Sequence, residues 1–146
     1  KDASASRRLS IEDGKLVDEA TVEALHGKPG DSHHAGLALH VQGRVEAPES
    51  FRADPSFAES RPAPFRHWKD ARTAAFANRA EFVVAYPKGV RIRVVFETPG
   101  PFRVTLASTP DAPPKRRESF YLETDGPKAV FRTTFEPREG EGKPRP

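Results

Sequence analysis

The chain holds five histidines, the side chains best suited to ligate a metal or move a proton near neutral pH. His33 and His34 adjoin Asp31, with His26 and His40 on either side. Zinc needs three or four ligands converging on one point, whereas neighbouring side chains on an extended segment point in opposite directions. No HExxH or comparable spacing occurs, so these histidines read as structural or solvated. Serines at Ser32, Ser50, Ser56, Ser60, Ser108 and Ser119 lie in neither a GxSxG elbow nor an SxxK pair. An activated hydroxyl also needs a base held by an orienting acid, and no local spacing supplies one. Carboxylate pairs for glycoside hydrolysis meet only in the fold, and a domain with loops this short gives them little room for a cleft. No catalytic set is expected.

Recognition chemistry is better represented. The only tryptophan, Trp68, follows a proline-containing loop and has Arg66, His67, Lys69 and Asp70 as neighbours. Exposed, it would offer a flat apolar face to a sugar ring, with the polar neighbours fixing orientation. Buried, it would anchor the core, as its near-helical spacing with Ala71, Ala75 and Phe76 suggests. Tyr86 and Tyr121 complete the candidate ligand-binding set of Arg66, His67, Trp68, Tyr86 and Tyr121. Arg91, Arg93 and Arg103 fall on the polar phase of two segments expected to form a hairpin, which would place them on one face with Arg132. Such a face calls for acidic neighbours, spread into solvent, or an anionic partner.

Alternation of apolar and polar residues defines the elements that must position these groups. Leu37, Leu39, Val41 and Val45 share one phase; so do Phe82, Val84 and Tyr86, then Val90, Ile92, Val94 and Phe96 after the turn Pro87-Lys88-Gly89. The turn Thr98-Pro99-Gly100-Pro101 leads to Phe102, Val104 and Leu106. A connection over residues 110–114 leads to Phe120 and Leu122, and Asp125-Gly126-Pro127 to Phe131, Thr133 and Phe135. Strands this close together leave no room for crossover helices, so the fold class is all-β: an antiparallel sandwich with one short helix or irregular insertion. Leu9 and Ile11 read as a first strand ending at Asp13-Gly14. Residues 16–26 suit a strand or a short helix, 59–64 a loop, and 67–79 a helix or an irregular insertion. Residues 1–8 read as a disordered tether, 9–136 as the sandwich domain and 137–146 as a disordered tail.

With 146 residues, the chain can bury a core without staples. It has no cysteine for disulfides or thiolate metal sites. Its 24 basic and 21 acidic residues are interspersed, with Lys115-Arg116-Arg117 the only basic cluster, so no nucleic-acid partner is expected. No apolar run reaches the roughly 18 residues of a membrane helix. A chain that opens on Lys1-Asp2 without methionine is expected to have lost a leader or to be part of a longer protein; an upstream lipid anchor is one form of such a leader.

Three segments resemble the galactose-binding-like jelly roll of carbohydrate-binding modules: Leu9 to Gly14, Gly36 to Gly43, and the run Val90 to Leu106 followed by Phe120 to Phe135. The likeness covers about half the chain. It implies a sandwich that binds glycans without catalysis, often with one structural calcium held by acidic residues of the first and last strands, here Glu12, Asp13 and Glu136. Such modules usually present several exposed aromatics, and this chain departs from them with one tryptophan and two tyrosines. The expectation is therefore a non-enzymatic binding module of an exported protein, secreted, periplasmic or on the outer surface of the cell envelope. Its partner would be a saccharide or another envelope component. The alternative is an accessory or structural subunit of a larger envelope assembly with no small ligand.

Overall fold

A computed structural model describes residues 3–24 and 33–138 of the chain. They form eleven strands: β1 (Ala3–Glu12), β2 (Lys15–Ala24), β3 (His33–Val41), β4 (Arg44–Glu46), β5 (Arg52–Ala53), β6 (Lys69–Phe76), β7 (Arg79–Ala85), β8 (Arg91–Glu97), β9 (Phe102–Pro110), β10 (Arg116–Gly126) and β11 (Lys128–Arg138). Two antiparallel sheets result, one ordered β1-β2-β11-β8-β7-β4 and the other β3-β10-β9-β6-β5. Pairing of β2 with β11 and of β3 with β10 ties early strands to late ones, while β7–β8 and β9–β10 are sequence neighbours. The all-β sandwich expected from the alternation is what the chain forms.

The core lies between the sheets. Phe82, Val84, Val94, Phe96 and Phe131 enter it from the six-stranded sheet, and Val104, Leu106, Phe120 and Leu122 from the other; all are buried. Phe120 sits 5.1 Å from Phe82 and 5.0 Å from Phe96, with Phe82 and Phe96 5.7 Å apart (ring centroids), so three aromatic rings bridge the two layers. Leu37, Leu39, Val41 and Val45 all face this core, from two different sheets. The chain crosses between layers at Gln42-Gly43, and the Glu118 carboxylate accepts the Val45 N–H just beyond the crossing. Val90 is the exception to its phase. It closes the Pro87–Gly89 turn, where its carbonyl accepts the Tyr86 N–H (2.8 Å), and it is exposed.

Four expectations need correction. Residues 3–8 are not a tether: they belong to β1 and pair with Glu19–Ala24 of β2. Pro137 and Arg138 belong to β11 rather than to a tail; residues 1–2 and 139–146 lie outside the described residues. Residues 67–79 are not a helix, because pairing with β9 overrides the helix preference of Ala71, Ala74 and Ala75 and draws them into β6. For residues 16–26 no correction is needed: of the two readings the strand holds, from Leu16 to Ala24. Finally, β8 and β9 are not a hairpin. The Pro99 and Pro101 turn carries the chain to the other sheet, so Arg103 faces away from the surface that holds Arg91, Arg93 and Arg132.

A Cβ on Gly43 would lie 2.6 Å from Val84 Cγ1 and 2.7 Å from the Ala85 carbonyl oxygen, whereas one on Gly100 would meet nothing within 4 Å. Gly43→Ala is therefore expected to lower stability by about 1–3 kcal/mol, by overpacking against backbone that cannot retreat. Gly100→Ala should leave it unchanged or raise it by about 0.4–1 kcal/mol through the unfolded state. Paired denaturant titrations check both.

Candidate functional site

The outer face of the five-stranded sheet is covered by the connection between β5 and β6, residues 54–68. Asp54 opens it: its carboxylate accepts the Ser56 hydroxyl (2.9 Å) and its carbonyl the Phe57 N–H (3.2 Å). Ser56 then accepts the N–H groups of Glu59 and Ser60 at 3.1 and 3.0 Å. A 3-10 turn over Ala63–His67, begun by Pro64, ends the segment; the Phe65 carbonyl accepts the Trp68 N–H at 2.9 Å. The loop expected over residues 59–64 falls inside this segment, whereas the helix or insertion expected over 67–79 is mostly strand β6.

Aromatic packing holds the segment down. Trp68 lies 5.2 Å from Phe65, 5.8 Å from Phe57 and 6.1 Å from Tyr121, and Phe65 lies 4.7 Å from Tyr121. Ala71 and Ala107 supply the small surfaces on which these rings rest. Gly36 completes the seat, since a Cβ there would fall 2.0 Å from the Tyr121 hydroxyl oxygen. A glycine on β3 thus lets the tyrosine of β10 lie across its neighbour.

Charge closes the other side. Arg61 stands 5.1 Å above the Phe57 ring and 5.7 Å above the Tyr121 ring, and its Nη2 approaches the two Glu123 oxygens at 2.7 and 2.6 Å. Glu123 is buried on the sheet face, with His34 at 3.3 Å and Arg103 at 3.4 Å as further partners. His34 also reaches Asp125 at 3.0 Å. Burial pushes the Tyr121 hydroxyl pKa up, and the neighbouring Glu123 adds to the rise while Arg61 opposes it.

A polar chain runs beside the rings, from exposed His40 to buried Ser119 and Thr109. His40 Nδ1 lies 2.6 Å from Ser119 Oγ, which lies 2.6 Å from Thr109 Oγ1. Sequence reading missed this serine–histidine pair; its only trace is that both residues occupy the outward phase of β3 and β10. Ser119 is fully buried and shares its hydroxyl with Thr109, and no carboxylate hydrogen-bonds His40 among the described residues. In this geometry the pair bridges β3 and β10, with His40 at the surface and Ser119 beneath it. Burial, and then Arg117, hold the His40 pKa below its ordinary value.

Beside the covering segment is a groove of about 720 Å³, within the size range of small-molecule sites. Pro55, Ala71 and Leu106 supply apolar wall, and Asp54, Asp70 and Arg72 polar groups. Asp70 adopts φ 55°, a left-handed backbone unusual for a non-glycine residue, where the β6–β9 register shifts between Lys69 and Arg72. Neither Asp70 nor Arg72 makes a side-chain hydrogen bond or ion pair among the described residues, and both are exposed.

The sequence-predicted ligand residues divide between places. Trp68 and Tyr121 come together but face each other and the covering segment, so the buried reading of Trp68 is the one that holds. Arg66 and His67 are exposed at the rim, joined at 3.0 Å. Tyr86 is half-buried against the main core, on the other sheet, and takes no part. His26 and Asp31 lie outside the described residues.

The candidate calcium ligands sit at the far edge of the six-stranded sheet. Glu12 accepts from Arg132 (2.6 Å) and Ser10 (2.9 Å); Glu136 accepts from Arg93 (2.9 Å) and pairs with Lys15 (3.2 Å). Asp13 lies in the β1–β2 turn, at φ 49°. Calcium takes six to eight oxygens, and here two of the three carboxylates already neutralise cations. No group of three or more acidic, histidine or cysteine side chains gathers among the described residues. The arginine face is instead laced by acids: Arg93 also binds Glu81 (2.6 Å), Arg79 binds Glu81 (3.2 Å) and Glu97 (3.6 Å), and Arg91 binds Glu46.

No protein-family model matches the chain, and none of the curated proteins compared with it is similar. The fold and the covered face define a two-sheet β-sandwich with one outer surface laced by ion pairs and the other roofed by its own loop.

Trp68→Ala is expected to cost about 3–5 kcal/mol, as for a buried ring, read as a lowered denaturation midpoint in the absence of any ligand. The ion-paired face gives an acid dependence. Arg93, with Arg79 assisting, lowers the Glu81 pKa from 4.5 to about 2, and Glu136 shifts down in the same way. The unfolded chain therefore binds more protons across that window, so this stabilisation is full above about pH 4.5 and lost as pH falls toward about 2. Melting temperature should drop over that range, and both added salt and Arg93→Ala should flatten the drop.

Proposed function

We propose that this chain is a non-catalytic binding module of an exported protein, and that its ligand is a saccharide or another polyhydroxylated envelope component held in the groove beside β6. The observation that carries this reading is the pairing of apolar wall with uncommitted polar groups. Ala53 and Pro55 suit the C–H face of a sugar ring, while Asp70 and Arg72 have hydrogen-bonding capacity that the fold itself leaves unused. Backbone held in an uncommon conformation at Asp70, on a bulge that re-aims its side chain, supports the same place. The likeness of the first and last strands to the galactose-binding-like jelly roll agrees with a glycan ligand. Trp68 then acts from behind, by supporting the groove wall through Ala71, rather than as the stacking platform.

The experiment is a glycan-array screen followed by calorimetric titration. Arg72→Ala, an exposed change, should keep the melting temperature and weaken binding about tenfold or more, the loss of one charge-assisted hydrogen bond. Asp70→Asn, which tolerates the left-handed backbone, should weaken it in the same direction. A blank array, or binding that neither change alters, overturns the reading.

The second reading, an accessory subunit of a larger envelope assembly, is favoured by a separate observation: Leu9 and Ile11 are 61% and 73% exposed on an edge strand. No helix among the described residues is long and apolar enough to cross a membrane.

A further inference from the structure

We propose that β1 pairs antiparallel with β1 of a second copy of this chain, joining two six-stranded sheets edge to edge about a two-fold axis at Ser10. Among the described residues this strand lies at the end of its sheet and pairs with β2 alone, through ten unbroken register positions from Ala3↔Ala24 to Glu12↔Lys15. Its two-residue turn, Asp13-Gly14, has positive φ at both positions (49° and 74°), the type I′ geometry that makes Glu12 and Lys15 a hydrogen-bonded pair. Counting back by twos, Ser10 and Arg8 bond to β2, while Ile11, Leu9 and Arg7 turn their N–H and C=O groups to the open edge. Natural edges are protected by proline, bulges, coverage or charged side chains, and of these β1 carries charge alone, at Arg7, Arg8 and Glu12. Leu9 to Glu12 has no proline or bulge, and its apolar side chains are exposed.

The sequence of β1 selects the partner and the register. Antiparallel pairing joins residues whose backbone groups both face the shared edge, so the axis must pass through a residue position. Centred on Arg7 or Arg8, the pairing sets identical arginines directly opposite each other, which is repulsive. Centred on Leu9, it leaves Arg8 opposite Ser10 and Arg7 opposite Ile11. Centred on Ser10, Leu9 meets Ile11 of the second copy in hydrogen-bonded pairs on one face, and on the other Arg8 meets Glu12, which also bonds Arg132 of its own chain. Arg8 makes no ion pair within the chain among the described residues, on a surface where most other cations do. Charge and apolar complementarity therefore agree on one self-complementary arrangement.

The chain contains no cysteine, which makes a single introduced thiol a clean reporter. In the Ser10-centred arrangement the two Ser10 residues form the non-hydrogen-bonded pair at the axis, with Cα atoms about 4.5 Å apart, within disulfide range. Ser6 residues would be eight positions apart along the paired strands, about 27 Å. Mild oxidation of the Ser10→Cys chain should give a disulfide-linked dimer on non-reducing gels, and Ser6→Cys should not. Arg8→Glu should raise the dimer dissociation constant measured by analytical ultracentrifugation about tenfold, by placing like charges opposite Glu12. Adding Glu12→Lys should recover part of the loss, since the same change also sets a lysine beside Arg132. Both positions are on the surface, and circular dichroism checks that each variant remains folded. A monomer at all concentrations, equal cross-linking through Ser6→Cys, or a dimer indifferent to Arg8→Glu overturns the proposal. Capture of β1 by a different protein in place of a second copy overturns it as well.

Discussion

The contact on which the rest of the structure depends is the meeting of Phe120 with Phe82 and Phe96. One ring comes from the five-stranded sheet and two from the other, at centroid distances of 5.0–5.7 Å, each fully or almost fully buried. Aromatic pairs at this spacing add edge-to-face attraction to the burial of large apolar area. They also fix the separation of the layers, and with it the phase of every strand: residues at even spacing from these three face inward, and the rest are free for surface work. The two outer faces have used that freedom differently. One is a field of cross-strand ion pairs. The other presents Tyr121, Ala107 and the buried Glu123 to a segment of the same chain.

That second face shows why a buried carboxylate can be tolerated on a sheet surface. Desolvating Glu123 is costly unless its charge is met at close range. Arg61 does so from the covering segment while lying over two aromatic rings, and His34 and Arg103 approach from the sheet. Ring packing alone would let the segment slide over an apolar surface. A paired charge of this kind fixes its position as well as its affinity. Asp70 and Arg72 follow the anchored segment at the start of β6.

The sandwich was legible wherever burial on one side forced strict alternation. Phe82–Val84, Val94–Phe96, Phe102–Leu106 and Phe120–Leu122 carry that pattern, and the structure places them as expected. Strand β1 was invisible from Ala3 to Arg8 because neither of its faces is covered there, so nothing selected for apolar residues. The separation of Arg103 from Arg91 and Arg93 was equally hidden. A turn between neighbouring strands reads the same whether the chain folds back within one sheet or steps across to the other. Trp68 was ambiguous for a different reason: polar neighbours such as Arg66 and His67 mark a surface segment, but not which of its sides faces the protein. The groove left no local signature, since Asp54 and Asp70 approach it from separate elements and only the bulge brings Asp70 round.

The arrangement of the chain's first and last described strands has a mechanical consequence. Ala3 of β1 lies beside Ala24, at the same end of the sandwich as Lys128 of β11, while Arg138 lies at the opposite end. Tension applied between Ala3 and Arg138 would therefore run along the strands and load their hydrogen bonds together, in shear, rather than peel them one at a time. A chain pulled in this orientation would resist stretching through β1, β2 and β11 before the phenylalanine core felt the load.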